Sequence, residues 1–218
     1  MPAWTCGGSI RPGKSASRIP VPRHLQHWIA IAVAALPALA LGFRFVVDGL
    51  GANPIEDVTH TTGEWALRLI LVSLAITPAR RFFGWRGIAP LRRTLGLAGF
   101  TYACAHLATW GILDRGLDLA AIAEDLGERP YVMVGMAAFL LLFTLAITST
   151  RRSIRRLGKR WTTLHRAVYA AALLAVVHHF WLIKADYRPA IVHAVILAGL
   201  LAARIVWIVR RKSDTQAS

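Results

Sequence analysis

Eight histidines carry most of the chemistry this sequence can offer, and several of them sit inside long apolar runs rather than among polar residues. His106 lies in one such run, and the neighbours His178 and His179 lie in another. An ionisable group surrounded by hydrocarbon is expensive, so an imidazole at depth needs a ligand or a buried partner. Two neutral imidazoles on different helices suit bis-axial ligation of a haem iron, because a flat apolar macrocycle slots between helices while each helix contributes one nitrogen. The plainer reading is a hydrogen bond across helices. His165 precedes His178 by thirteen residues, a rise of about 20 Å along a helix. On an ideal helix those two lie about 140° apart, whereas His179 falls within about 40° of His165, so periodicity alone prefers His179. His60 follows the turn-forming stretch Gly51-Ala52-Asn53-Pro54 and reads as a helix N-terminal residue or a further ligand. His24, His27 and His193 occupy interfacial positions, where polar tips are expected; His27 shares the inner half with His165 and is a conceivable partner for it.

These residues need a scaffold that crosses a bilayer. With 218 residues, 56% of them hydrophobic, and a mean hydropathy of +0.48, the chain reads as an integral membrane protein. Six runs are long enough to cross about 30 Å of hydrocarbon: Trp28 to Val47, His60 to Thr77, Leu95 to Leu113, Tyr131 to Thr148, Thr163 to Ile183 and Ala190 to Val209. The expected fold is therefore all-α, a polytopic membrane helical bundle of six transmembrane helices. The second run is the least apolar, being interrupted by Arg68. On this division residues 1–27 form a disordered tail, 28–209 the helical domain and 210–218 a second tail. Trimming of the first run as a signal peptide after Ala38-Leu39-Ala40 is disfavoured, because the run continues to Val47.

The net charge of +15 falls between the runs rather than on one soluble face, which excludes a nucleic-acid partner and points to the bilayer itself. Arg80, Arg81, Arg86, Arg92 and Arg93 follow the second run, and Arg151 to Arg160 follow the fourth; the N-terminal tail and Arg210 to Lys212 are also basic. Asp48, Glu56, Asp57, Asp114, Asp118, Glu124, Asp125 and Glu128 occupy the alternate loops. By the positive-inside rule both termini are cytoplasmic. His106 then lies roughly 16 Å in from the cytoplasmic end of its helix and His178 roughly 22 Å along another running the same way. Arg68, in the outer part of the second run, is placed to neutralise a haem propionate; snorkelling is its alternative, as for Arg44 and Arg204. Cys6 and Cys104 have no metal or redox spacing and read as reduced, structural thiols. No Ser-His-Asp or metal-hydrolase motif appears.

In this framework the motifs resemble the MsrQ (YedZ) family. They are Gly51-Ala52-Asn53-Pro54, Asp57-Val58-Thr59-His60-Thr61-Thr62-Gly63, Ile76-Thr77-Pro78, Arg92-Arg93-Thr94-Leu95-Gly96-Leu97 and His106-Leu107. They continue with Arg129-Pro130-Tyr131, Thr148-Ser149-Thr150, Leu157-Gly158-Lys159 with Trp161, Leu164-His165, Tyr169, and His178 with Trp181. The resemblance runs in order from about residue 28 to residue 209 and places the chain in the wider ferric-reductase-like transmembrane group. It implies a haem b subunit of the bacterial inner membrane, carrying one or two haems. Such a subunit passes electrons from quinol of the respiratory chain to MsrP, a periplasmic molybdopterin enzyme that reduces methionine sulfoxide in oxidised proteins. FMN is also associated with the family. Position by position, the implied iron ligands are His106, His165 and His178, with His60 matching a further motif histidine and His178 preferred to His179 against the angular argument. Two other functions compete. A ferric reductase would need a separate cytoplasmic flavoprotein, since the chain has no Gly-rich dinucleotide loop, and a transporter would be colourless and built on Gly/Pro-broken helix pairs, which are not evident.

Overall fold

The computed structural model describes residues 22–47, 49–183 and 186–216; Cys6 and most of the expected N-terminal tail fall outside them. Among the described residues the chain is helical throughout, with no strand. The helices are α1 (Arg23–Val47), α2 (Pro54–Phe82), α3 (Leu91–Ala108), α4 (Leu119–Glu128), α5 (Pro130–Ile147), α6 (Arg151–Leu157), α7 (Lys159–Leu164), α8 (Ala167–Leu182) and α9 (Arg188–Gln216). A π-helical segment, Thr109–Asp114, continues α3.

All six apolar runs are helical with shifted ends, four as single α-helices, the third passing into a π segment and the fifth broken by a turn. Three stretches are long and apolar enough to cross a membrane by length and composition: His24–Val47, Pro130–Ile147 and Arg188–Arg210. The helices α2, α3 and α8 differ for visible reasons. The α2 helix has 29 residues but includes Glu64 and Arg68, α3 carries Arg92 and Arg93 among its 18 residues, and α8 has 16 residues. The helix built on the least apolar of the six runs is nevertheless the most central. Leu67, Ile70, Leu71 and Leu74 of α2 pack with Leu142 of α5, Ala171, Ala172 and Val176 of α8, and Leu197 of α9 to form the core. A helix ringed by other helices meets protein rather than lipid and tolerates polar groups that a peripheral one does not. Conversely, α1 presents Trp28, Val33, Leu39, Phe43 and Val46 to its surroundings.

Local chemistry sets the element ends. Asn53 caps α2, accepting from the Glu56 amide at 3.3 Å with Pro54 at the first helical position, a favoured pairing of cap and imino acid. Asp118 accepts from the amides of Ala120 and Ala121 and opens α4. Pro37 interrupts the hydrogen-bond ladder of α1, and there the Tyr102 hydroxyl enters it. The hydroxyl accepts from the Ala38 amide at 3.0 Å and donates to the Ala34 carbonyl at 2.8 Å. The expected fifth span is broken: Lys159–Leu164 is a separate helix, and His165 and Arg166 form a turn before α8. His165 and His178 therefore do not share one continuous helix, and the angular preference for His179 loses its premise.

Candidate functional site

An imidazole of α3 and one of α8 meet between the two helices. The imidazole ring centroids of His106 and His178 are 6.2 Å apart with planes at 79°. Nδ1 of His106 lies 2.9 Å from the Thr59 carbonyl of α2, and Nδ1 of His178 lies 2.7 Å from the Tyr131 carbonyl of α5. A carbonyl oxygen only accepts, so both rings carry their proton on Nδ1 and keep the Nε2 lone pair. Both rings line a cavity of about 400 Å³ at the acidic-loop end of the bundle. An imidazole held by its other nitrogen and facing a cavity is the arrangement that orients metal-binding histidines.

Glycines make this approach sterically feasible. A Cβ added to Gly63 would stand 2.9 Å from His106 Nδ1, and one added to Gly135 would stand 2.7 Å from His178. The two halves share one register. Thr59 and Tyr131, Gly63 and Gly135, and His106 and His178 are pairs at a constant offset of 72 residues. The carbonyl-to-histidine separation is 47 residues in both halves. The cavity is thus walled by two helix pairs, α2 with α3 and α5 with α8, that repeat one design.

A second cavity of about 560 Å³ lies at the basic-loop end, lined by His165 together with Arg81, Arg92, Arg166, Arg204 and Trp207, among others. The His165 ring stacks on Trp161 with centroids 3.9 Å apart. Its Nδ1 lies 3.2 Å from the Trp161 carbonyl and its Nε2 lies 3.4 Å from the Ser149 hydroxyl. Arg204 donates to the Tyr169 hydroxyl at 2.7 Å. Ile70 and Leu142, another pair at the 72-residue offset, line both cavities and form the wall between them. Phe100 on one side stacks with Phe139 on the other, centroids 5.8 Å apart.

The remaining expected residues are placed as follows. His60 lines the first cavity, with Nε2 3.7 Å from Glu56. His179 also lines the first cavity, but its ring meets His193 of α9, centroids 5.4 Å apart, and both are buried. His27 pairs with the Thr94 hydroxyl at 2.6 Å rather than with His165. Arg68 pairs with Glu64, one turn earlier, and lies 5.0 Å from the Trp65 ring centroid, off the first cavity's lining. The cations at that cavity's rim are Arg115 and Arg129. Asp125, 4% exposed, lies 2.7 Å from Arg115 and 3.1 Å from Arg129. Comparison of the sequence with itself at a shift of 72 would have found both glycines and linked the two histidines.

Comparison with known proteins adds an independent line. Residues 62–176 match the family model of the ferric reductase like transmembrane component. The chain is 50% identical over 191 residues to the protein-methionine-sulfoxide reductase heme-binding subunit MsrQ of Rhodospirillum rubrum, covering 87% of this chain and 92% of that one. Its identity to the subunit of the same name from Azospira oryzae is 46% over 191 residues, 86% and 82% of the two chains. For Bordetella pertussis it is 47% over 167 residues, 76% and 81%.

Proposed function

Because the chain belongs to the MsrQ family, within the ferric-reductase-like transmembrane group, we propose that it is a haem b subunit carrying electrons from the quinone pool to a periplasmic molybdopterin methionine sulfoxide reductase. The geometry at His106 and His178 carries this reading. With metal–imidazole bonds of about 2.0 Å and a ring nitrogen roughly 1.1 Å from its centroid, two rings on opposite sides of one iron have centroids about 6 Å apart. The observed separation is 6.2 Å. Two imidazoles complete an octahedron when the other four nitrogens arrive with the metal, as in a porphyrin. The apolar walls from Ala66, Leu67, Ala138 and Phe139 suit such a macrocycle.

When bound there, a haem supplies a one-electron iron couple. His106 and His178 would hold it through Nε2, their tautomers fixed by the Thr59 and Tyr131 carbonyls. His60 sits at the mouth of the same cavity. In the second cavity His165 is a ligand candidate, and the arginines and rings around it suit either a second haem or the phosphate and ring system of FMN. Metal analysis and flavin extraction of the purified protein distinguish these.

The same proposal sets six spans, with both termini and the second cavity facing the cytoplasm of the bacterial inner membrane, residues 28–209 as the domain and the acidic loops toward the partner reductase. The basic, cytoplasm-facing second cavity also favours one competing donor, a soluble flavoprotein; reduction by quinol in membrane vesicles without NADPH excludes it. The purified protein is expected to show a low-spin b-type spectrum, and His106→Ala or His178→Ala each to abolish the component arising from this site. Full retention of haem in both variants rejects the reading.

A further inference from the structure

The charges at the mouth of the His106/His178 cavity are arranged in a way that holding two imidazoles does not require. Asp125 lies in α4, and its side chain is 5% exposed. A desolvated carboxylate persists only where it is paired, but one cation suffices for that and here there are two. Arg115 lies 2.7 Å from one carboxylate oxygen and Arg129 3.1 Å from the other, each through Nε. Both arginines also line the cavity, so contact through Nε leaves the forked Nη ends for a further acceptor. Their other contacts are few: Arg129 Nη1 reaches the Tyr131 hydroxyl at 3.5 Å, and Arg115 Nε lies 3.4 Å from Asp114, whose side chain is 45% exposed. Asp114 and Asp125 together balance the two arginines, so what the rim offers a ligand is the placement of the Nη donors rather than surplus charge.

Their positions along the chain tie the rim to the ligands. The π segment leads from α3, which carries His106, directly to Arg115. Arg129 opens the turn whose third residue, Tyr131, orients His178. A shift of either segment moves a histidine and a guanidinium together.

On the haem reading above, we propose that Arg115 and Arg129, aligned by Asp125, form a carboxylate clamp that takes the two propionates of the macrocycle and fixes its rotation about the His106–His178 axis. A guanidinium fork matches a carboxylate through paired N–H donors, and partial desolvation strengthens the contact. Asp125 is a positioning residue: it touches the arginines and leaves the ligand to them.

The test uses the full chain in detergent with its haem, comparing Arg115→Gln, Arg129→Gln, Arg129→Lys and Asp125→Asn. The readouts are the midpoint potential against pH and the rate of haem transfer to apomyoglobin. Removing a cation beside the propionates stabilises the ferric form, so both glutamine variants are expected to shift the potential downward, alter its pH dependence and release haem on the order of tenfold faster. Arg129→Lys restores most of the potential but less of the retention. Reconstitution with haem dimethyl ester, which lacks the carboxylates, brings the single arginine variants and the unaltered protein together. Unchanged potential and release in both glutamine variants, or differences that persist with the ester, overturn the clamp. The unaltered protein's spectrum separates the two readings: no b-type signal rejects the haem site itself, whereas a normal signal with indifferent arginines rejects only the clamp. Should Asp125→Asn fail to fold, the arginine variants still decide.

Discussion

The two central imidazoles were legible from sequence because polarity at membrane depth is conspicuous. Their supports were not. Thr59 and Tyr131 act through main-chain oxygens, which no side-chain pattern reveals, and Gly63 and Gly135 matter for the volume they lack. The same geometry yields a paired prediction. Gly63→Ala and Gly135→Ala place a methyl 2.9 Å and 2.7 Å from the two imidazoles, a separation that ordinary van der Waals contact does not permit, so the ring must move. Each variant is expected to lose most of its haem absorbance while its far-ultraviolet circular dichroism stays unchanged, and the repeat implies similar losses for both. Rotation of His179 toward His193 shows the opposite failure: two adjacent histidines look alike in sequence, and only their neighbours on α5 and α9 separate them.

At the scale of elements, runs of apolar residues located every membrane-length helix but misjudged continuity. Spacing alone reads His165 and His178 as lying on one rod, whereas His165 sits in a turn between Leu164 and α8, and that break frees it to face a different cavity. The third run reads as ordinary helix to Leu113, yet Thr109–Asp114 is π-wound, a local widening often found beside functional sites. The α1 kink offers a measurable case. Tyr102→Phe removes the hydroxyl that bridges Ala34 and Ala38 across the Pro37 gap, leaving an amide and a carbonyl less well satisfied, and is expected to cost about 1 kcal/mol. Chemical unfolding of the detergent-solubilised protein measures the loss, and His106–His178 spectroscopy should be unaffected, since α1 does not line that cavity.

For the whole molecule, all-helical class and membrane character followed from composition, while the assignment of six crossings rests on charge alternation together with three strongly apolar helices. Reporter fusions test the arrangement. Fusions after residues 85, 157 and 216 are expected to score as cytoplasmic and those after 51 and 117 as periplasmic; inversion at any one of these refutes the orientation. The repeat at 72 residues is faint in the sequence because the identical pairs the site uses, Gly63 with Gly135 and His106 with His178, are few, and they become meaningful only when they meet around one cavity.

The wall of Ile70 and Leu142 has an electrical consequence. It is apolar on both faces and, with the stacked Phe100 and Phe139, offers no chain of hydrogen bonds along which a proton could hop. An electron, which tunnels through a few ångströms of packed hydrocarbon, is not stopped in the same way. With a redox centre in each chamber and the orientation proposed above, transfer across this wall would displace negative charge outward through part of the bilayer with no accompanying cation. Moving one charge through a full membrane potential of 100 mV changes its energy by about 2.3 kcal/mol, and a cell interior that is negative drives electrons outward. The resting voltage of the cell would then contribute directly to the rate at which reducing power reaches its outer face.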